Sequence, residues 1–373
     1  MSEGHEVEFV GRAAPGAHRA GAGGWPCQGL YYTPTGQRPK VAMIATHYNI
    51  DFSQHYLADL VARRGVGFLG WNTRFRGDEP HFLLDHALVD IGVGVRWLRE
   101  QAGVEVVILL GNSGGGSLMS AYQSQAVEPN VAPAPGLRLA RGVDDLGAAD
   151  GYISLAAHSG RPDVLTNWMD AAVTDEADPT QTDQSLSLWN PENGPPYSPE
   201  FVQRYRAAQV ARNQRITDWA KAELERVTTA GLTDRLFTLA RTWADPRMVD
   251  PTLDPSDRPP NMCYPGEPRK ANMSVWGIGG ANTLRTWLSM WSLETSQCRG
   301  EPHLARVEVP TIVVNAVSDT GVFPSDAAKI FDAVGSKDKS LHSLPGDHYF
   351  LEPAGARADV ADLLVSWVQE NWQ

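Results

Sequence analysis

The chain is 373 residues long, 42% hydrophobic and 20% charged, with twelve tryptophans. That composition excludes a disordered chain, and the length suits one large domain or a core with a sizeable insertion. The net charge of −12 excludes the basic face that phosphate neutralisation demands, so nucleic acid is not an expected partner.

The elements come in a strand–helix rhythm. Residues 7–10 and 29–33 read as short leading strands. The apolar run at 40–46 (KVAMIAT) is a buried strand that ends at His47-Tyr48-Asn49. Helix follows over 56–64, strand over 66–71, and a helix over 84–101 with Leu84, Leu88, Ile91, Val95 and Leu98 at helical spacing. The β-branched run at 104–110 (VEVVILL) suits a strand covered on both faces. A helix follows at 118–125 and a strand at 152–156. The rhythm then stops, from residue 159 to about 305, and resumes with strands at 310–317 and 340–344 and a helix at 356–372. Alternation of this kind implies a mostly parallel sheet flanked by helices. The interruption is too long for a loop and predicts a mainly helical cap, 159–305, inserted into a core formed by 1–158 and 306–373.

Gly111-Asn112-Ser113-Gly114-Gly115 matches G-x-S-x-G. It follows the VEVVILL strand and precedes a helix, the context in which a sharp turn thrusts a serine Oγ outward and aims helix N-terminal amides at developing negative charge. A serine hydroxyl needs a positioned base. In chain order serine, acid, histidine, the best acid is Asp319, just past the 310–317 strand. The best base is His348, 29 residues later, with room for one helix and one strand between. Asp347 and His342 are the competing acid and base. Asp347 adjoins His348 in a turn, where neighbouring side chains rarely oppose each other, and His342 lies inside a strand. His303, at the cap edge, reads as solvated. The oxyanion hole needs the amide of Gly114 and a second amide from the loop after an early strand, which places Tyr48 or Asn49 there. His47 reads as bracing that loop.

These segments together resemble the α/β-hydrolase superfamily over nearly the whole chain. Within it the chain looks like bacterial esterase-like members with a large helical cap. Asn72-Thr73-Arg74, the 156–161 segment Ala-Ala-His-Ser-Gly-Arg and Phe323-Pro324-Ser325-Asp326 are similar to recurring segments of such proteins. The resemblance implies hydrolysis through an acyl-serine intermediate and no cofactor. A serine at position 113 disfavours the dehalogenase and epoxide-hydrolase branches, where an aspartate stands.

Seven of the twelve tryptophans fall in the cap. Most are expected to build its own core, while Trp276 and Trp287, in the 274–292 stretch, are candidates for an aromatic or hydrophobic acyl pocket. Arg74 and His158, at strand ends, and His47 are further substrate-binding candidates. Arg204, Arg206, Arg212 and Arg215 cluster on one helix and read as surface or ion-paired groups. No metal-ligand pattern stands out.

Cleavage of a carboxylic ester is the leading expectation. Thioester, amide or C–C hydrolysis and acyl transfer would use the same residues, and a ligand-binding protein without turnover is the reading from another class. The expected partner is a small-molecule substrate, with no nucleic acid and no membrane; the oligomeric state, homodimer included, is open. Cys27, Cys263 and Cys298 fit reduced thiols. Residues 1–20 lack the apolar core of a signal peptide, and no run nears the roughly 18 apolar residues of a membrane span. A cytoplasmic location is the expectation.

Overall fold

A computed structural model describes residues 4–16 and 25–372, so the leader-free reading of residues 1–20 falls partly outside the described residues. The strands in chain order are β1 (His5–Ala13), β2 (Pro26–Pro34), β3 (Val41–Ala45), β4 (Gly67–Asn72), β5 (Val106–Asn112), β6 (Gly151–Leu155), β7 (Leu236–Thr238), β8 (Ala281–Thr283), β9 (Thr311–Ala316) and β10 (Lys339–Leu344). Eight of them form one sheet in the order β1-β2-β4-β3-β5-β6-β9-β10. The pairs β1–β2 and β2–β4 are antiparallel; every pairing from β4 through β3 and β5 to β10 is parallel. The leading strands are longer than the sequence suggests, because ladder pairing with β4 and with each other extends them past their apolar residues.

The apolar runs of the central strands are explained by cover on both faces. In β5, Val107 and Leu109 join the cluster that includes helices α2 (Leu84–Glu100) and α3 (Gly115–Val127), while Ile108 and Leu110 join the opposite cluster. That second cluster holds helices α1 (Ala58–Ala62) and, at the chain's end, Ala356–Trp372. With a side-chain period of two, a strand sandwiched this way has no polar face to display.

Between β6 and β9 the chain leaves the sheet. This insertion carries α4 (Arg161–Trp168), the 31-residue α5 (Pro199–Thr229), the β7–β8 ribbon, and the short helices α6 (Pro246–Val249), α7 (Pro268–Asn272), α8 (Leu284–Thr286) and α9 (Glu301–Leu304). Helix α8 runs on into a single wide turn, Trp287–Trp291. Helix α5 begins with Ser198, whose hydroxyl accepts from the Phe201 amide at 3.2 Å, and with Pro199 in the first turn, the start signals expected of a helix. Val164, Trp168, Trp243 and Met248 of the insertion pack with Phe323 of the core, and Arg247 lies over the Phe323 ring at 4.0 Å. The chain then completes the core with α10 (Pro324–Ala333) and α11 (Ala356–Trp372). Among the described residues no helix is long and apolar enough to cross a membrane, and no cluster of side chains is arranged to hold a metal ion. All three cysteines are buried and free.

Candidate active site

The strand end of β5 and the start of α3 meet at Ser113, whose φ is 56°. A non-glycine residue in the left-handed region is strained. Three backbone bonds hold it there: the Ser113 amide donates to Leu155 O at 3.2 Å, and its carbonyl accepts from the amides of His158 at 3.0 Å and Gly116 at 3.2 Å. The turn closes only because Gly111 is bare; a Cβ there would sit 2.6 Å from Gly116 Cα.

Asp319 follows β9 and His348 follows β10, so parallel pairing of these strands brings their C-terminal ends together beside Ser113. Asp319 Oδ2 faces His348 Nδ1 at 2.6 Å, and His348 Nε2 faces Ser113 Oγ at 3.0 Å. A carboxylate only accepts, so Nδ1 carries the proton and Nε2 is left to accept from the serine hydroxyl. The Gly321 and Val322 amides donate to Asp319 Oδ1 at 2.8 and 3.0 Å, which fixes the carboxylate and stabilises its charge. Asp347 is occupied differently: its Oδ1 accepts from the amides of Tyr349 and Leu351 and closes a local turn. His342 bonds Ser340 within β10.

The loop after β3 lies alongside. Burial, reinforced by the Arg161 charge, holds the His47 imidazole neutral, well below its usual range. The amides of Asn49 and Ile50 point at His47 Nδ1, at 3.5 and 3.4 Å. Among the described residues the amides of Tyr48 and Gly114 have no such acceptor. The Tyr48 side chain lies beneath the loop, with its hydroxyl 3.0 Å from Ser117 Oγ.

Ser113 opens into a cavity of about 370 Å³ lined by His47, Asn49, Ile50, Glu79, His158, Arg161, Val164, Trp168, Trp243, Tyr264, Pro265, Trp276, Gly277, Ile278 and Tyr349. His47, His158 and Trp276 are therefore at the site, Trp276 on its exposed rim. Burial, then the neighbouring His348 and Arg161, keep His158 neutral.

Other expectations need correction. Arg74 turns away: its guanidinium binds both oxygens of the fully buried Asp90, at 2.8 and 2.6 Å, and reaches Pro15 O. An arginine at a strand end is drawn to whichever buried carboxylate lies nearer, and here Asp90 on α2 wins. Trp287 is wholly buried in the core, its indole N–H donating to Thr217 Oγ1 at 3.1 Å, and does not line the cavity. His303 is buried, bonded to Gln297 O at 2.8 Å.

Two further residues stand at the site, and neither is assigned a role from the sequence. Tyr264, from the insertion, stacks on His348 with ring centres 4.3 Å apart. Its hydroxyl lies 2.9 Å from His348 Nδ1 and 3.3 Å from Asp319 Oδ1. Burial and the Asp319 charge push the phenol well above its usual range, so it stays protonated. The ring fits because residue 321 is glycine; a Cβ there would lie 2.4 Å from Tyr264 Cζ. Arg161 is the other, and Tyr264 and Arg161 both belong to the segment with no rhythm to read. Gly321 lies three residues before α10, and a glycine there gives no hint of a ring from elsewhere.

No protein-family model matches the chain, and none of the curated proteins matches it in sequence. Solved structures do. The α/β hydrolase GrgF from Penicillium sp. sh18 aligns with a TM-score of 0.52 at 13% identity, over 98% of this chain and 97% of that one. The esterase domain of a Rhodothermus marinus protein aligns at 0.49 and 12% identity over 98% of each chain. Est1E from Butyrivibrio proteoclasticus aligns at 0.49 and 10% identity, over 98% and 99%. At this identity the GrgF alignment speaks for architecture alone, and together with the sheet order it shows that the chain has the α/β-hydrolase fold.

Proposed function

We propose that this protein is a serine hydrolase that cleaves carboxylic esters through an acyl-serine intermediate, with Ser113 as nucleophile, His348 as base and Asp319 as the acid that orients it. The observation that carries this reading is the continuous chain Asp319 Oδ2–His348 Nδ1, 2.6 Å, and His348 Nε2–Ser113 Oγ, 3.0 Å. As Ser113 Oγ attacks the ester carbon, its proton passes to His348 Nε2, and Asp319 stabilises the imidazolium. The amides of Gly114 and Tyr48 hold the carbonyl oxygen as it becomes negative. The C–O bond to the alcohol breaks, and the alcohol leaves with the proton from His348. Water then attacks the acyl carbon, gives its proton to His348, and the acid departs as Ser113 regains its hydrogen.

The insertion, 159–305, acts in this reading as a cap over the strand ends. Trp168, Trp243 and Trp276 with Ile278 would favour an acyl group with an apolar or aromatic part.

Fluorophosphonate labelling with ester turnover tests the proposal. Ser113 is the expected site of labelling. Ser113→Ala and His348→Ala should each lower kcat by roughly 10⁴-fold or more, the double variant being little worse because the residues act as a unit. Asp319→Asn should cost somewhat less, and Asp347→Asn little. A Ser113→Ala protein with full ester turnover would sink the reading.

A further inference from the structure

Arg161 is a buried guanidinium with most of its donors unspent, and it faces the cavity that holds Ser113. Its Nη2 donates to Glu79 Oε1 at 3.0 Å. Its Nε is buried without a partner, and Nη1 makes no hydrogen bond among the described residues. A buried donor without an acceptor is costly, so a guanidinium placed this way favours an acceptor that enters the cavity.

The surroundings fix where that partner sits. Tyr48 and Trp291 lie against the guanidinium carbon, at 5.0 and 4.5 Å, so the free direction is the plane of the N–H groups. Glu79 takes one corner of that plane, and its other oxygen accepts from the Gly279 amide at 3.2 Å, which anchors the pair to the insertion. Nη1 lies beside Gly114. A Cβ on Gly114 would lie 2.9 Å from Arg161 Nη1 and 2.6 Å from His47 Nε2. With His47 Nδ1 facing two backbone amides, a neutral His47 carries its proton on Nε2. Two N–H donors, one of them charged, thus meet beside the serine turn at the one residue that leaves them room.

We propose that Arg161, with His47, is a carboxylate subsite, and that the substrates are half-esters of dicarboxylic acids whose free carboxylate lies on the acyl side. This rests on the hydrolase reading above. The acyl side follows from the proton transfer: the leaving alcohol must lie against His348 Nε2, which protonates it, whereas Arg161 abuts Gly114 at the carbonyl end. Glu79 is the one acidic side chain among the lining residues, and it is already bonded to Arg161 and the Gly279 amide, so an incoming carboxylate meets N–H donors on this wall. A planar fork of donors matches a carboxylate better than a neutral acceptor.

The test compares glutarate monophenyl ester with phenyl pentanoate, in which a methyl replaces the carboxylate. Wild-type kcat/KM should favour the half-ester by about tenfold or more, the scale of one charge-assisted pair. In Arg161→Met the ratio should fall to about one, and in Arg161→Lys it should lie between. A wild-type ratio of one or less overturns the subsite, and this measurement needs no variant to fold. Calorimetric titration of glutarate into the Ser113→Ala protein separates this proposal from the hydrolase reading. Glutarate that binds Ser113→Ala, and binds at least tenfold more weakly once Arg161→Met is added, supports the subsite even if no ester turns over. Equal binding with and without Arg161 overturns it even if Ser113 is labelled by fluorophosphonate.

Discussion

Ser113, Asp319 and His348 come from three separate turns; Ser113 is braced by backbone bonds with Leu155 and His158, and Asp319 by the amides of Gly321 and Val322. Tyr264 is the exception, since it reaches the same place from the insertion. Its hydroxyl proton has one carboxylate to go to, Asp319 Oδ1 at 3.3 Å, because Nδ1 of His348 already donates to Oδ2. Tyr264→Phe keeps the ring stacked on His348 and removes only that bond. A net hydrogen bond is worth about 0.5–1.5 kcal/mol, so kcat should fall by roughly two- to tenfold with KM little changed. Steady-state kinetics on any ester that is turned over checks this; an unchanged kcat would make Tyr264 mere packing.

Helix α5 illustrates how an element far from Ser113 still matters to it. Arg212, in its middle, is fully buried. It pairs with both oxygens of Glu176 at 2.8 and 2.7 Å and donates to the carbonyls of Asp170, Ala240 and Arg241. Those carbonyls flank the strand-like passage that leads to Trp243, which lines the cavity. Arg212→Met should therefore destabilise by about 3 kcal/mol, since it strands a carboxylate and three carbonyls. Denaturant unfolding would give the loss, and limited proteolysis should cut first within the insertion; an unshifted midpoint would contradict this role. In sequence the arginines of this helix read as surface or ion-paired groups, and two of them are ion-paired. Arg212 and Arg206, which pairs with the buried Asp245 at 2.6 Å, tie the helix to the rest of the insertion.

Across the molecule, several histidines are buried as neutral rings, and this sets how the fold responds to acid. His55 is fully buried between Phe52, Tyr56 and Phe68, with Nε2 3.1 Å from Asn112 Oδ1, and burial lowers its pKa to about 4 from 6.5. His47 and His158 are shifted in the same direction. A lowered histidine pKa means the unfolded chain binds the proton first. Its contribution is complete above pH 6.5 and is lost as pH falls from there toward 4. For His55 alone the difference amounts to about 3 kcal/mol. Unfolding free energy measured at pH 7, 6 and 5 should fall steadily, with the steepest drop below 6.5; a flat profile over that range would refute the burial of neutral histidines.

The strand–helix rhythm and the glycine-flanked serine were readable because they are local. A β-branched run covered on two faces, a sharp turn that tolerates no Cβ at Gly111 and a helix start each leave a mark within ten residues of sequence. Chain order put Asp319 and His348 at the same end of the sheet as Ser113, because parallel strands must end on the same side of the sheet. Arg74, Trp287, Tyr264 and Arg161 were not readable for the opposite reason. Whether an arginine is spent on a buried aspartate, as Arg74 is on Asp90, or left with open donors beside Gly114, as Arg161 is, depends on which residue from a distant segment occupies the adjoining space. The same holds for a tryptophan in the core or on the rim. The sequence by itself determined the sheet and the order of the residues at its strand ends. Only the tertiary structure decided which side chains of the insertion face them, because that is settled by contacts between segments that share no periodicity.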